Sequence, residues 1–482
     1  MATKGDIEDV NGSLSEPFVD HRKREAEEHC SSDNGGSMMV YISTFIASCG
    51  SFQFGYCVGY SSPAQFSIMK DLGETSSEYS IFGSILTVGA IVGALTCGHT
   101  ADSAGRKGAM GIASIICILG WIAIYIAPGA LVLDFGRFLT GYGIGNISYV
   151  VPVYVAEITP KDLRGLLATL NLLLVVTGLA VAYAIGAFVS WRTLALTVRT
   201  FAGTVSCILL FVGLFFIPES PRWLAMVGRQ REFEAALSKL RGPGADISTE
   251  QAVIEVLTPL QSYVFGLAGI DNFLDSLAII RQLPKITIPD LLSGRNIRLI
   301  STAVVLMAFQ QLVGINGINY YAAEIFKSAG VSPSVGSILY SSTQVVVTAI
   351  GATLMDRAGR RPLLMISVSG LFIGNLLIGS SFLLKEHHLA PDLTPILALG
   401  GSLVYIASFS MGMGTIPWVL MSELFPLNIK AIGGGLVTLI NWFGSWVISY
   451  SFFYLFSWSS FGKSQLSTLF SCPPLDTAQL SF

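Results

Sequence analysis

Gln310, Gln311, Asn316 and Asn319 place four side-chain amides inside an apolar run from about Leu299 to Ala329, and Tyr320 and Tyr321 follow directly. No charge interrupts the run before Glu324. In lipid, a buried amide without a partner costs several kcal/mol. Polar groups at membrane depth therefore face a cavity or a neighbouring helix. Gln310 and Gln311 point at adjacent angles of a helix, and Asn316 and Asn319 return about two turns on. Gly314 and Gly317 weaken the helix between them. An amide both donates and accepts hydrogen bonds, as a sugar hydroxyl does, so a neutral polyhydroxylated ligand suits these residue types better than an ion. The same amides could equally glue one helix to another. The spacing alone leaves both readings open.

The elements that carry this stretch follow from composition. Of 482 residues 12% are charged, 52% are hydrophobic and 50 are glycine, which describes an all-α integral membrane protein. A net charge of −3 implies no nucleic-acid partner. The seven cysteines include no CxxC, so neither a metal site nor a disulfide framework follows, and no cofactor is implied. Residues 1–37 are polar, contain Arg22, Lys23 and Arg24, and read as a solvated cytosolic tail without a cleavable signal.

Apolar windows of spanning length lie near 38–60, 80–100, 108–127, 131–153, 166–188 and 194–217, then near 298–321, 334–355, 362–384, 395–420 and 433–457. This predicts a six-helix bundle over 38–217, a cytosolic loop over 218–297, five spans over 298–457 and an atypical polar tail over 458–482. With the N-terminus in the cytosol, 21 of the 28 Lys and Arg fall on the cytosolic side, which supports that orientation.

The chain also repeats itself. Asp102-Ser-Ala-Gly-Arg106-Lys107 follows the second span and Asp356-Arg-Ala-Gly-Arg360-Arg361 the eighth. Glu157-Ile-Thr-Pro160 with Arg164 ends the fourth span, and Glu423-Leu-Phe-Pro426 with Lys430 ends the tenth. Two halves related by an axis along the membrane normal, with a ligand at mid-bilayer between them, are a known transporter plan.

With Gly136-Arg137, Pro218-Glu219-Ser220-Pro221-Arg222-Trp223-Leu224 and Ile416-Pro417-Trp418, these motifs make the chain resemble the sugar porter family of the major facilitator superfamily. Within it, the stretches at 186–194, 283–291 and 314–321 resemble plant monosaccharide transporters of the early-responsive-to-dehydration type. The resemblance implies a major facilitator fold of two pseudo-symmetric helix bundles, here with six plus five apparent spans and the twelfth missing or altered. It implies Gln310, Gln311, Asn316, Gln344 and Asn441 on the sugar hydroxyls, with Trp418 and Trp442 stacked on the apolar face of the ring. Gly412, Gly414 and Pro417 interrupt their helix, either for close packing or as a flexible gate, and the resemblance favours the gate.

Arg106, Lys107, Glu157, Arg164 and Glu219 in one half mirror Arg360, Arg361, Glu423 and Lys430 in the other. They are expected to fix topology and, as a network, to latch one of two states. Gly141, Gly143 and Gly145 lie mid-span without a preceding strand and read as helix packing rather than a nucleotide fingerprint.

Proton-coupled members of the family carry an aspartate in the first span where this chain has Cys57, and no carboxylate lies well inside any span. Facilitated diffusion of a hexose or related monosaccharide is therefore expected, with a transporter-like sugar sensor or a proton symporter as alternatives. No Ser-His-Asp set or metal spacing appears, so an enzyme is not expected. The chain departs from the family pattern at Leu172, where a glutamine is common, and along the apolar stretch 253–280, which reads as an amphipathic helical loop. It departs again after Trp458. The implied partners are a small-molecule sugar and the lipid bilayer, in the vacuolar or the plasma membrane.

Overall fold

The computed structural model describes residues 38–160, 163–196, 203–242, 247, 248, 250, 251, 254, 294–424 and 430–458. The apolar stretch 253–280, apart from Ile254, and the tail after Trp458 lie outside the described residues. So do the side chains of Arg164, Asp356, Glu423 and Lys430.

The first half opens with α1 (Met38–Leu72), a helix of 35 residues that ends at the left-handed Gly73. A capping box starts α2 (Ser76–Ser103): Thr75 accepts from the Glu78 N–H, and the Glu78 carboxylate accepts from the Thr75 N–H. Then come α3 (Gly105–Ile126), α4 (Ala130–Ile158) and α5 (Arg164–Gly186). The expected span at 194–217 is described as α6 (Trp191–Leu196) and α7 (Gly203–Gly213). Two short helices, α8 (Pro221–Met226) and α9 (Gln230–Arg241), bury Trp223, Leu224, Phe233 and Leu237 in a small core of their own.

In the second half the expected span at 298–321 divides into α10 (Gly294–Leu312) and α11 (Ile315–Ser328). α12 (Pro333–Ala358) and α13 (Arg360–Glu386) follow. The expected span at 395–420 divides into α14 (Leu393–Ser408), a π-helical turn (Phe409–Met413) and α15 (Ile416–Leu424). α16 (Lys430–Trp458) closes the described chain. Among the described residues, seven helical stretches are long and apolar enough to cross a membrane. They include one running from 297 to 328 across α10 and α11 and one from 393 to 420 across the π turn.

Small residues let the helices of the first half touch backbone to backbone. A Cβ on Gly141 or Gly145 would strike the carbonyls of Leu86 and Ala90, and one on Gly89 or Gly93 would strike Phe138 and Tyr142. The Gly141–Gly145 run is thus a packing surface between α2 and α4, as its mid-span position suggests. Apolar side chains face outward on α3 (Ile115, Leu119, Ile122, Ile126) and on α13 (Ile366, Phe372, Ile373), the faces a lipid environment would cover.

The halves meet where α2 packs on α16, α5 on α12 and α11 on α1. In the numbering expected from the sequence, the second span thus meets the eleventh and the fifth meets the eighth. Under the six-span offset of the repeated motifs these two contacts are reciprocal.

Candidate functional site

Gly314 sits at φ 89°, a left-handed conformation that suits glycine, and divides α10 from α11. Gly317, expected to weaken the same stretch, stays helical. Its role is space, because a Cβ there would collide with the Phe452 ring of α16. The break lets the amides on its two sides serve different neighbours.

Gln310 is nearly fully buried, and its head group is committed to protein. Nε2 donates to the carbonyls of Met413 (2.8 Å) and Gly414 (3.1 Å), and Oε1 accepts from Asn441 Nδ2 (3.1 Å). Gln311 Oε1 accepts from Asn316 Nδ2 at 2.5 Å across the break. Asn319 glues elements together: its Oδ1 accepts from the Tyr340 hydroxyl of α12 and its carbonyl from the Tyr183 hydroxyl of α5. Thus Gln310, Gln311, Asn316 and Asn441 gather at the junction of α10, α11 and α16. Among the described residues, none of the hydrogen bonds of these amides goes to a carboxylate.

Gln344 on α12 and Trp442 on α16 are buried, and among the described residues Gln344 Oε1 and Trp442 Nε1 each lack a partner. They offer one acceptor and one donor. The Trp442 ring lies 5.8 Å from Phe54 of α1, an aromatic contact across the two halves. Trp418 is half-buried and packs on the cluster of Ala303, Met307 and Val437 from α10 and α16. On α5, Asn171 accepts from the Ser51 hydroxyl of α1, beside the half-buried Leu172.

The stretch expected as the tenth span bends where Gly412, Gly414 and Pro417 predict it. In the π turn the Gly414 N–H bonds to Phe409 O at 2.8 Å, one residue further back than in an α-helix. Ser367 of α13, fully buried, repairs the register. Its hydroxyl donates to Ser408 O (2.6 Å) and accepts from the Met413 N–H (2.9 Å). Sequence reasoning missed Ser367, since a serine in an apolar span is unremarkable by itself.

At one end of the molecule the halves are joined directly. The Ala323 N–H donates to Ser62 Oγ at 2.9 Å, Ser77 Oγ and the Tyr454 hydroxyl lie 3.2 Å apart, and Lys327 Nζ sits 4.1 Å from the Phe66 ring centroid. Tyr183 and Asn319 add to the same seam.

At the other end the sequence-predicted charges are paired inside the first half. Arg106 reaches Glu157 twice, Nε to Oε2 at 3.0 Å and Nη2 to Oε1 at 3.1 Å, and reaches Asp102 at 3.3 Å. Ser220 Oγ also donates to Glu157. Glu219 accepts from the N–H groups of Arg106 and Lys107, capping the first turn of α3, while Lys107 Nζ donates to Ile217 O. Burial pushes the Glu219 carboxyl up, and the Ser220 and Lys107 N–H groups counter that rise. The preceding Gly105 must be glycine: its φ is 81°, and a Cβ would lie 2.5 Å from Glu219 Oε2. Arg360 is half-buried and Arg361 exposed at the start of α13.

Arg137, which the sequence offers as part of the Gly136-Arg137 motif without a role, is fully buried. It donates to Ser61 Oγ and lies 5.0 Å from the Phe82 ring centroid and 5.5 Å from that of Tyr60. Its place inside an otherwise apolar helix was the signal that could have found it.

A sequence profile of the family described as "Sugar (and other) transporter" matches residues 43–468. The chain is 54% identical to Sugar transporter ERD6-like 8 of Arabidopsis thaliana, over 96% of this chain and 92% of that one. It is 51% identical to Sugar transporter ERD6-like 7 of the same plant, over 94% and 91%. Among solved structures it resembles the partially occluded inward-open xylose transporter XylE from E. coli, with TM-score 0.72 and 24% identity, covering 90% of this chain and 96% of that one. It also resembles the same symporter bound to 6-bromo-6-deoxy-D-glucose, at TM-score 0.69 and 24% identity, covering 91% of this chain and 95% of that one. At such identity these likenesses speak for the fold.

Proposed function

The chain belongs to the sugar porter family of the major facilitator superfamily, and on that premise we propose that it carries a hexose or related monosaccharide across a membrane by alternating access and facilitated diffusion. Its relatives are plant sugar transporters of the ERD6-like group, and it is a transporter rather than an enzyme. The observation that carries the substrate reading is the uncharged, amide-rich junction of α10, α11 and α16. There Gln311, Asn316, Asn441 and the Trp442 Nε1, which has no partner among the described residues, present hydrogen-bonding groups beside aromatic surface, and the buried Gln344 of α12 offers a further acceptor, Oε1. Such groups match hydroxyls and ring C–H faces.

The substrate sits between the halves, on Gln311, Asn316, Gln344, Asn441 and Trp442, with Trp418 beside it. Gln310 contributes mainly through the helix it holds. In the orientation given by the positive-inside bias, the joined end at Ser62, Ala323 and Lys327 is non-cytosolic. This conformation therefore faces the cytosol. The charged groups Arg106, Lys107, Arg164, Glu157 and Glu219, with Arg360, Arg361, Glu423 and Lys430, stabilise the opposite, outward-facing state when the cytosolic ends meet.

Coupling to protons needs a titratable carrier near the site. The described first span has Cys57, whose thiol accepts from Gln53 Nε2, where proton-coupled relatives carry aspartate. Purified protein in liposomes tests the proposal. Counterflow of radiolabelled D-glucose should persist with a protonophore present, and Gln311→Leu should raise the half-saturating sugar concentration. Accumulation against the sugar gradient that a protonophore abolishes would overturn facilitated diffusion. An unchanged half-saturation in correctly inserted Gln311→Leu would move the site elsewhere.

A further inference from the structure

We propose that Gln310 is a positioning residue for the bend in the tenth span: its amide stands in for the N–H that Pro417 lacks, and a hydroxyl ligand that takes this amide releases the bend. In a regular helix the N–H of residue 417 would bond to the carbonyl of residue 413. Proline has no N–H, so that carbonyl loses its helical donor inside a buried helix. Gln310 Nε2 supplies one at 2.8 Å and shares with Gly414 O at 3.1 Å. Asn441 Nδ2 donates to Gln310 Oε1, which fixes the amide so that its nitrogen faces the broken helix.

The other flank of the turn is held differently. Ser367 satisfies Ser408 O and Met413 N from α13, away from the amide cluster. A Cβ on Gly412 would lie 2.6 Å from Ser367 Cβ, so that contact has no slack. The bend therefore has a fixed brace on the α13 side and an exchangeable one on the α10 side. Both Nε2 protons of Gln310 are in use, whereas Oε1 keeps a free lone pair. A hydroxyl that donates to Oε1 leaves the bend alone. One that accepts from Nε2 leaves Met413 O without its surrogate donor. Loaded and empty protein then differ at Met413 and Gly414, just ahead of α15 and Trp418.

The release step rests on the reading that the junction binds sugar, whereas the surrogate-donor step does not, so the test separates them. Thermal unfolding of the full chain in detergent micelles reads a double-mutant cycle between Gln310→Leu and Pro417→Ala. Pro417→Ala restores the backbone donor. Q310L should lower Tm by about 4 °C in the parent and by less than about half of that in the P417A background. Equal losses in both backgrounds overturn the assignment. Should P417A fail to fold, Gln310→Met keeps the length and loses the donor. A Q310M protein as stable as the parent then overturns it.

For the release step, a cysteine introduced at Val419 is labelled with a maleimide, with and without saturating D-glucose, in parent and Q310L backgrounds. Binding of radiolabelled glucose is measured on the same samples. Faster labelling with glucose in the parent alone supports release. Glucose that binds the parent without changing its labelling refutes it. Absent binding sinks the sugar reading and the release with it, while the thermal cycle still judges the surrogate donor.

Discussion

Glu157→Gln is the sharpest perturbation of the charged end. The Glu157 carboxylate is buried, accepts two hydrogen bonds from Arg106 and one from Ser220, and ties α3 and α4 to the segment leading into α8. Glutamine keeps one acceptor oxygen and loses the charge. Removing one partner of a buried pair costs about 3–5 kcal/mol, because the other charge stays buried and uncompensated. Asp102 remains 3.3 Å from Arg106 and softens the loss, so about 3 kcal/mol is expected. An unfolding unit of about 180 residues has an unfolding entropy near 0.4 kcal/mol/K, so Tm falls by about 8 °C. The assay is tryptophan fluorescence of purified protein heated in micelles at a fixed scan rate. A double variant, Arg106→Met with Glu157→Leu, removes both charges and should sit closer to the parent than Glu157→Gln does. If Tm of Glu157→Gln stays within about 1 °C of the parent, the pair is not a buried structural tie and the reasoning fails.

Other outcomes follow from single contacts. Trp442→Phe keeps the aromatic contact with Phe54 but loses the unpartnered indole N–H, so the half-saturating sugar concentration should rise about tenfold in liposome uptake while Tm holds. Gly317→Val should drive a side chain into the Phe452 ring, lowering Tm and the yield of inserted protein on size-exclusion chromatography. Between α1 and α2, burial first, then Asp134 and Glu78, push the Glu74 carboxyl up to about 7. Its folded value lies above its unfolded one, so the stability it contributes is full below about pH 4.5 and is lost as pH rises through about 7. Tm should therefore fall between pH 5.5 and pH 8, and Glu74→Gln should flatten that slope.

Local chemistry made some of this legible and distance hid the rest. Gly314 announced a break because glycine takes up, without a Cβ clash, the left-handed conformation seen there, and Gly412, Gly414 and Pro417 announced the bend. The repeated Glu and Arg motifs marked a charged end, and Arg106 does meet Glu157. What spacing could not show is partner choice. Gln310 finds its acceptors 103 and 104 residues away, and Ser367 spans 41 and 46. Hydropathy treats Ser367 as a tolerated hydroxyl, although it completes a distorted turn. Asn319 took the gluing role the sequence left open, since two tyrosine hydroxyls from other helices claim its acceptors.

The left-handed joint at Gly314 makes one membrane crossing into two separately anchored rods. The rod before it is pinned to Met413, Gly414 and α16, whereas the rod after it is fastened to α1 through Ser62 and to Phe66 through Lys327. A fluorophore on α11 would thus report the seam, and one on α10 the bend. A distance measured between two such dyes would read the angle of the joint itself, giving a single-molecule observable for the working cycle from within one continuous stretch of chain.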